Sequence, residues 1–270
     1  MLAFIIPFKP KRNSTNWEQD SSYLHNTIQS ILHQTNDDYH VFVITHDMPE
    51  SLIDSPKVDY LKLPFDYCDF EKIEDRNAAL KDSGYLNARD VEYLFDQGRK
   101  QMYGAQLAKE SGYEYIMCLD ADDLVSKNLV DYVIRHKEDN QVGWYVNKGY
   151  YFIAIENIYV RQPYAMNMIS GSTHIIHRNM LPQTDMAALS LGSNNFFSGH
   201  ASLPARIKKE FGKELLPLPF YAIIYTITNL NWSITVDKLR GKSFYAKVKF
   251  LVRRVLFDKP IGKRFYLNRV

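Results

Sequence analysis

YEYIMCLDADDLVSKNLVDYVI, at residues 113–134, joins an apolar run directly to a cluster of carboxylates. Its first seven residues are mostly aromatic and apolar, and they have the length of a buried β-strand. Asp120, Asp122 and Asp123 follow this strand without a spacer. A helical pattern covers 124–136, and Asp123 is the aspartate best placed to cap that helix. A cap accounts for one carboxylate, so the other two need a different explanation.

Asp120 and Asp122 predict a metal site. Two carboxylates one residue apart at a turn can converge on a hard divalent cation such as Mg²⁺ or Mn²⁺. Such a cation can hold a diphosphate and neutralise the charge that develops on it as a leaving group. A buried strand that delivers like charges to one point also needs a reason for them to coexist. The alternative interpretation of the cluster is a helix N-cap alone.

Strand and helix patterns alternate along the first 140 residues. The predicted strands lie at 3–8, 39–45, 58–63 and 113–119, and the predicted helices at 21–34, 90–111 and 124–136. This alternation predicts an α/β protein with a central, mostly parallel sheet flanked by helices. Ligands bind beyond the carboxyl ends of such strands, where Phe8, His46, Asp47 and the aspartate cluster lie. Shorter strands are expected at 141–236, including one at 144–151.

The composition indicates a globular protein of a reducing compartment. Of the 270 residues, 46% are hydrophobic and 14% are aromatic, which excludes intrinsic disorder. The two cysteines, Cys68 and Cys118, cannot form a disulfide framework. The apolar start at 2–7 is too short for a signal peptide, and no segment reaches the roughly 20 apolar residues of a membrane span. We therefore expect a cytoplasmic protein.

The charge of the chain is unevenly distributed. The 33 Lys and Arg residues and 31 Asp and Glu residues give a net charge of only +2, yet eleven of the basic residues and one acid lie in 238–270. Apolar residues at helical spacing alternate with basic ones over 243–257, which predicts a basic amphipathic helix. Such a helix can lie on an anionic membrane surface, making the protein peripheral on the inner face, or it can pack on the main domain. No nucleic-acid-binding module accompanies the charge, so no nucleic acid partner is expected.

Residues 113–134, the opening FIIPF and the helix that ends in SILHQT together resemble the family 2-type glycosyltransferases of the GT-A fold. The resemblance covers 1–140 well and 170–212 loosely. It implies the GT-A (nucleotide-diphospho-sugar transferase) fold and a nucleotide-sugar donor, with a UDP-sugar favoured. It also implies that Asp120-Ala121-Asp122 is the DxD motif of a Mn²⁺- or Mg²⁺-dependent hexosyl-type transfer. The implied acceptor is a glycan or a lipid-linked molecule, as in polysaccharide biosynthesis.

The same resemblance assigns positions around the donor. The implied donor-binding residues are Pro7, Phe8, His46, Asp47, Arg99, Lys100, Asp120, Gly171, Ser172 and Thr173. Among them, Asp47 with His46 beside it would read the base, and Arg99 or Lys100 would lie near the base or a phosphate. A solvated helix face is the alternative interpretation of those two basic residues. Asp122 would be the direct metal ligand, with Asp120 near the ribose and the metal.

One part of the family pattern is missing from this chain. Family 2-like enzymes commonly carry Glu-Asp where this sequence has Gly199 and His200, and that aspartate is the base that deprotonates the acceptor hydroxyl. His200 is a candidate for that base, for a third metal ligand beside Asp122, or for a structural histidine. Asp185 is the other carboxylate that could act as the base. Inversion and retention of the anomeric configuration both stay open.

The expected organisation is a glycosyltransferase domain at 1–236 and a basic tail at 237–270. Residues 1–140 would form the nucleotide-sugar-binding half and 141–236 the acceptor-side half. Loss of the Glu-Asp pair keeps open a non-catalytic nucleotide-sugar or glycan-binding protein. A sugar-phosphate phosphatase or a nucleotidyltransferase is less favoured, because the aspartates follow the fourth strand and no glycine-rich loop follows the first.

Overall fold

The computed structural model describes residues 1–67, 88–183, 196–197, 199–227, 240–241, 243–255 and 259–265. Cys68 and the candidate base Asp185 lie outside these residues. Cys118 is described and is buried, as its place in an apolar strand predicts.

Strands and helices alternate along the first half of the described chain. The strands are β1 (Leu2–Pro7), β2 (Tyr39–Thr45), β3 (Val58–Lys62), β4 (Tyr115–Cys118), β5 (Leu124–Val125), β6 (Gly143–Tyr145), β7 (Lys148–Ile153), β8 (Ile158–Gln162), β9 (His174–His177), β10 (Leu216–Pro217), β11 (Tyr221–Ile227) and β12 (Arg254–Val255). The α-helices are α1 (Trp17–Leu32), α2 (Ala88–Glu110), α3 (Leu129–Arg135), α4 (Leu203–Phe211), α5 (Phe244–Arg253) and α6 (Lys259–Phe265).

The larger of two sheets is mostly parallel. Its strand order within the described residues is β10, β6, β9, β4, β1, β2, β3. β1 pairs in parallel with both β2 and β4, and β2 pairs in parallel with β3. β9 is inserted antiparallel between β4 and β6. The predicted fold class, an α/β protein with a central, mostly parallel sheet flanked by helices, is confirmed by this topology.

The helices cover the two faces of this sheet because β1 is apolar on both sides. Phe4 and Ile6 pack in one cluster with the apolar stripe of α1. Ile5 points to the other face and packs in a second cluster with Met102 of α2. Gly104 allows α2 to approach closely, since a Cβ there would lie 2.4 Å from Cγ2 of Ile5. The central strands are therefore buried on both faces, as expected for a parallel sheet.

A second, smaller sheet was not predicted from the sequence, and it corrects two expectations. Its strand order is β12, β8, β7, β11, β5, with β7 and β11 parallel. The strand predicted at 144–151 is in fact two strands, β6 in the large sheet and β7 in the small one. The helix predicted at 124–136 begins only at Leu129, because Leu124 and Val125 pair with β11 as β5.

The described parts of the C-terminal tail are largely helical, as predicted, and they contact the rest of the chain. Phe250 of α5 is buried in the main apolar cluster. Ile261 and Phe265 of α6 are buried with Tyr150 of β7. The boundary between a domain and a tail at residue 236 stays a prediction. None of the helices in the described parts of the chain has the length and apolarity that crossing a membrane requires.

Candidate active site

The carboxyl ends of three neighbouring parallel strands lie side by side at one edge of the large sheet. β1 pairs in register with β2 on one side and with β4 on the other. Phe8 follows β1, His46 and Asp47 follow β2, and the aspartate cluster that begins at Asp120 lies just after β4. The segments that the sequence analysis selected are therefore neighbours in space, at the edge where parallel sheets bind ligands.

Asp120 is half-buried and held from two directions. Its Oδ1 accepts a hydrogen bond from Nε2 of Gln97 on α2 at 2.9 Å. Its backbone N–H donates to Oγ of Ser172 at 2.8 Å. Burial raises the pKa of Asp120 to about 6. Gly171 faces the other carboxylate oxygen, since a Cβ on this glycine would lie 3.6 Å from Oδ2.

Asp122 lies beside Asp120 and is also half-buried. Burial, and then the negative charge of Asp120, raise the pKa of Asp122 to about 7. In the described part of the chain, no side chain donates a hydrogen bond to this carboxylate. Its oxygens are therefore accessible to a cation, and the repulsion from Asp120 favours one.

Asp123 does not cap a helix, which corrects the sequence prediction. The residue is fully buried. Its Oδ2 accepts a hydrogen bond from Oγ of Ser170 at 3.2 Å, and its Oδ1 accepts one from the backbone N–H of Thr226 at 3.1 Å. The N-cap position of α3 is Asn128, because the intervening residues form β5. Asp123 thus connects the aspartate turn to β11 and to the segment that precedes β9.

A lysine and a tyrosine complete the surroundings of the two half-buried aspartates, Asp120 and Asp122. The positive charge of Lys9 partly offsets the factors that raise the pKa of Asp122. Nζ of Lys9 lies 2.8 Å from Oδ1 of Asp20 on α1, which fixes the lysine on this side of the site. Burial, and then the charge of Asp120, raise the pKa of Tyr93 on α2, so its phenol is neutral at physiological pH. The aspartate pair therefore lies between α1 and α2.

A buried charge network fixes the ends of β1 and β2 against α2. Nε2 of His46 lies 2.5 Å from Oδ1 of Asp96, and Nζ of Lys100 lies 2.5 Å from Oδ2 of the same carboxylate. Lys100 also donates to the backbone carbonyl of Phe8 at 2.7 Å. Burial alone would raise the pKa of Asp96, but the hydrogen bond from His46 and the charge of Lys100 hold it below its usual range. His46 and Lys100 thus meet at one carboxylate, and Lys100 connects it to the backbone of Phe8.

Arg99 is a buried cation next to this network. Its side chain and that of Lys100 are each only 1% exposed, so a solvated helix face, the alternative interpretation of both, is wrong. Nη1 of Arg99 donates to the backbone carbonyl of Asp66 at 3.1 Å, and the guanidinium lies 5.3 Å from the centre of the Phe65 ring. Among the described residues, Nε of Arg99 has no hydrogen-bond partner. Within the described residues, no carboxylate forms an ion pair with Arg99.

The remaining predicted donor-binding residues lie close to these groups. Asp47 is half-buried, and its Oδ2 accepts the backbone N–H of Lys11 at 2.8 Å. Ser172 and Thr173 are fully buried. Thr173 donates from Oγ1 to the carbonyl of Ser170 at 2.7 Å, so its hydroxyl stabilises the turn. Of the segment 171–173, Gly171 is the residue that is not buried, and it lies next to the carboxylate of Asp120.

His200 lies beside the segment that leads to Gly171. Burial lowers the pKa of its imidazole, which donates a hydrogen bond to the backbone carbonyl of Met168. Among the residues that the structure describes, no three His, Cys, Asp or Glu side chains converge closely enough to hold a metal ion by themselves. The roles of His200 as a base or as a metal ligand therefore stay predictions, as does that of Asp185.

Asp96 and Gln97 belong to this site and were not predicted from the sequence. Asp96 lies four residues before Lys100 on a predicted helix, the spacing at which opposite charges pair, so the sequence contained a signal for it. Gln97, the hydrogen-bond donor to Asp120, carried no signal, because its position depends on how α2 packs against the sheet.

Comparison of this chain with known proteins shows a likeness in structure and none in sequence. No protein-family model and no curated protein sequence matches the chain. The chain is similar to the S. aureus TarS 1–349 structure in complex with UDP, with a TM-score of 0.42 and 9% identity over 84% of this chain. It is also similar to a protein from Desulfovibrio desulfuricans G20 described as a nucleotide-diphospho-sugar transferase, with a TM-score of 0.35 and 12% identity over 92% of each chain. The chain spans 60% of the length of the TarS 1–349 structure.

Proposed function

We propose that this protein is a metal-dependent glycosyltransferase that moves a hexosyl-type sugar from a nucleotide-sugar donor to a glycan or lipid-linked acceptor. The proposal rests on one observation, the pair of half-buried carboxylates Asp120 and Asp122 at the carboxyl end of the central strand β4. A UDP-sugar is the donor that we favour, on the sequence resemblance described above.

The two aspartates fit a Mg²⁺ or Mn²⁺ ion. Such hard cations are usually held by one or two carboxylates and complete their shell with water and substrate phosphates, so a third protein ligand is not required. A Cβ added at Gly171 would meet Oδ2 of Asp120 at 3.6 Å and no other atom of the described residues within 4 Å, so there is room beside this glycine. No side chain of the described residues donates a hydrogen bond to Asp122, so none competes there with a cation. A bound ion would supply neutralisation of the charge on the departing nucleoside diphosphate.

The surrounding residues would bind and orient the donor. Arg99 offers a buried guanidinium whose Nε–H has no partner in the described part of the chain, and such a group is a strong donor for a phosphate or for a base carbonyl. Asp96 and Lys100 hold the His46 ring and the Phe8 carbonyl in place, so the strand ends that would contact the nucleotide are fixed before it binds. Preorganisation of this kind lowers the entropic cost of binding.

His200 is the described candidate for the base. Its imidazole is neutral at physiological pH because burial lowers its pKa. One ring nitrogen donates to the Met168 carbonyl, so the other nitrogen of the neutral ring carries a lone pair that can act as an acceptor. A nitrogen in that state can accept the proton of an acceptor hydroxyl or bind a metal. Asp185 is the alternative base, and the stereochemical outcome depends on which group acts.

A screen of nucleotide sugars by thermal shift tests this function. We expect one class among UDP-, GDP-, dTDP- and CMP-sugars to raise the melting temperature by about 5 °C or more at a hundredfold excess over Kd. The shift should require Mn²⁺ or Mg²⁺ and disappear with EDTA. If no nucleotide sugar stabilises the protein with or without metal, the glycosyltransferase proposal is wrong. Stabilisation without donor hydrolysis or transfer to any acceptor would favour the non-catalytic binding protein.

Enlarging Gly171 is expected to block the donor without unfolding the protein. A Cβ at this position meets Oδ2 of Asp120 at 3.6 Å, which is ordinary van der Waals contact, so Gly171→Ala should bind nearly as the wild type does. Gly171→Leu would fill the space beside the carboxylate and should weaken donor binding at least about tenfold, the effect of about 1.4 kcal/mol. Isothermal titration with the nucleotide sugar and Mn²⁺ measures both variants. Equal affinity of the Leu and Ala variants would place the donor elsewhere.

A further inference from the structure

The helix α5 turns its apolar side outward. Tyr245, Val248, Leu251 and Val252 are 77%, 40%, 61% and 78% exposed, respectively. Large apolar side chains on the surface are ordinary when scattered, but four on one face of a helix form a contiguous stripe. A helix that only packs on its own domain shows the reverse pattern, with charged residues outward.

The orientation of this stripe is set by contacts on the opposite side of the helix. Phe250 is buried in the main apolar cluster. Nη2 of Arg253 donates to Oε1 of Gln162 on β8 at 2.8 Å. The strand β12 follows the helix directly and pairs with β8. Ser243 caps the first turn, its Oγ accepting the backbone N–H of Ala246 at 3.1 Å. The outward face is therefore a fixed feature of the fold.

Basic residues lie on both sides of the apolar stripe. At about 100° per residue, the stripe covers an arc of roughly 120° on the helix, with Lys247 beyond one edge and Lys249 beyond the other. Arg254 follows at the C-terminal end and is exposed. Among the described residues, no carboxylate forms an ion pair with any of these three. The surface thus combines exposed apolar side chains with uncompensated positive charge.

We propose that this face of α5 docks on the surface of an anionic lipid bilayer. Tyr245, Val248, Leu251 and Val252 enter the boundary between headgroups and acyl chains, and the flanking basic side chains contact the negatively charged headgroups. The long stems of Lys247 and Lys249 can lie along the apolar surface while their ammonium groups stay among the headgroups. A helix in the interface plane with an apolar face and basic flanks has the properties of known membrane-surface helices.

Charge distinguishes a bilayer from a second copy of this chain as the occupant. Two copies that met through this face would bring the same basic side chains together, and like charges at close range oppose association. An anionic bilayer instead has negatively charged headgroups above an apolar interior. It therefore complements both the basic side chains and the apolar stripe of this surface. The inference is independent of the proposed enzymatic function, since it uses no residue of the aspartate site.

Vesicle binding by the full chain tests the proposal. We expect the protein to co-sediment with phosphatidylcholine vesicles that contain 30% phosphatidylserine, and to bind pure phosphatidylcholine about 100-fold more weakly. The estimate takes about fivefold for each of three basic residues near the surface. Val248→Ser/Val252→Ser should reduce the partition coefficient about tenfold or more. Lys247→Gln/Lys249→Gln should reduce it about 25-fold and weaken the salt dependence.

Matched control variants remove the same kinds of side chain elsewhere on the surface. Leu52→Ser/Leu216→Ser removes two exposed aliphatic residues, and Lys209→Gln/Lys213→Gln removes two exposed charges. We expect both controls to bind anionic vesicles as the wild type does. Loss of binding in the controls equal to that in the α5 variants would overturn the proposal, as would absence of binding by the wild type. It would also be overturned if Val248→Ser/Val252→Ser dissociated a dimer in sedimentation equilibrium and left vesicle binding unchanged.

Discussion

Asp122→Ala is expected to abolish sugar transfer and to raise the melting temperature of the metal-free protein. Asp122 would hold the cation that neutralises the leaving diphosphate, a contribution of several kcal/mol, so the transfer rate should fall at least about 100-fold. Without the metal, the same ionised carboxylate only destabilises the folded state. A variant that loses activity while it gains stability identifies a functional residue and not a structural one.

The sign of the stability change follows from the raised pKa of Asp122. Burial, and then the charge of Asp120, raise this pKa to about 7, whereas the unfolded chain titrates near 3.8. An acid whose pKa is higher in the folded than in the unfolded state destabilises the fold once the pH exceeds the unfolded-state pKa. This destabilisation reaches its full size above the folded-state pKa. At pH 8 the alanine variant should therefore melt about 2–4 °C higher for each kcal/mol of this destabilisation that the substitution removes. The gain should shrink as the pH falls towards 4.

Asp123→Ala shows what the loss of a structural aspartate does to stability, and it is therefore the comparison for Asp122→Ala. Asp123 accepts hydrogen bonds from the Ser170 hydroxyl and from the backbone N–H of Thr226, and its removal breaks both. We expect a loss of about 1–3 kcal/mol of stability in that variant. Asp139→Ala, at an exposed position, should change neither activity nor melting temperature. If Asp122→Ala instead lowered the melting temperature and kept activity, Asp122 would be structural and the metal site would be misplaced.

The sequence was sufficient to predict the parallel half of the fold and the position of the candidate site. β1, β2 and β4 are apolar on both faces, so their patterns could be recognised locally, and the rule for parallel sheets then places their carboxyl ends together. The pair Asp120 and Asp122 was predicted as the candidate metal site because two charges directly after such a strand are unusual. These predictions required no knowledge of long-range contacts.

Long-range pairing decided what the sequence could not show. Leu124 and Val125 continue a helical pattern, yet they form β5 because β11, about a hundred residues later, offers them a strand partner. The same pairing places Asp123 under the backbone of Thr226, so its role as an anchor was invisible before the second sheet was known. The burial of Arg99 depends likewise on the distant residues that pack around α2.

Removing the carboxylate of Asp96 is expected to be among the most destabilising single changes at this site. The carboxylate of Asp96 is shared by His46 and Lys100, and Lys100 is only 1% exposed. Asp96→Ala leaves a buried ammonium whose remaining acceptor is the Phe8 carbonyl, and breaking a buried ion pair in this way costs about 3–5 kcal/mol. Urea unfolding of the metal-free protein measures the loss.

A second substitution should restore part of that stability. Lys100→Met keeps the volume of the lysine stem and removes the charge, so Asp96→Ala/Lys100→Met should be more stable than Asp96→Ala alone. Asp131→Ala, which breaks the surface ion pair with Arg135, serves as the control and should change stability by no more than about 0.5 kcal/mol. If the losses of the two single variants simply add in the double variant, Asp96 and Lys100 are not coupled. Partial rescue would show that Asp96 is needed to stabilise the buried charge of Lys100. A nucleotide titration of the rescued variant would then report how far the positions of His46 and Phe8 control donor binding.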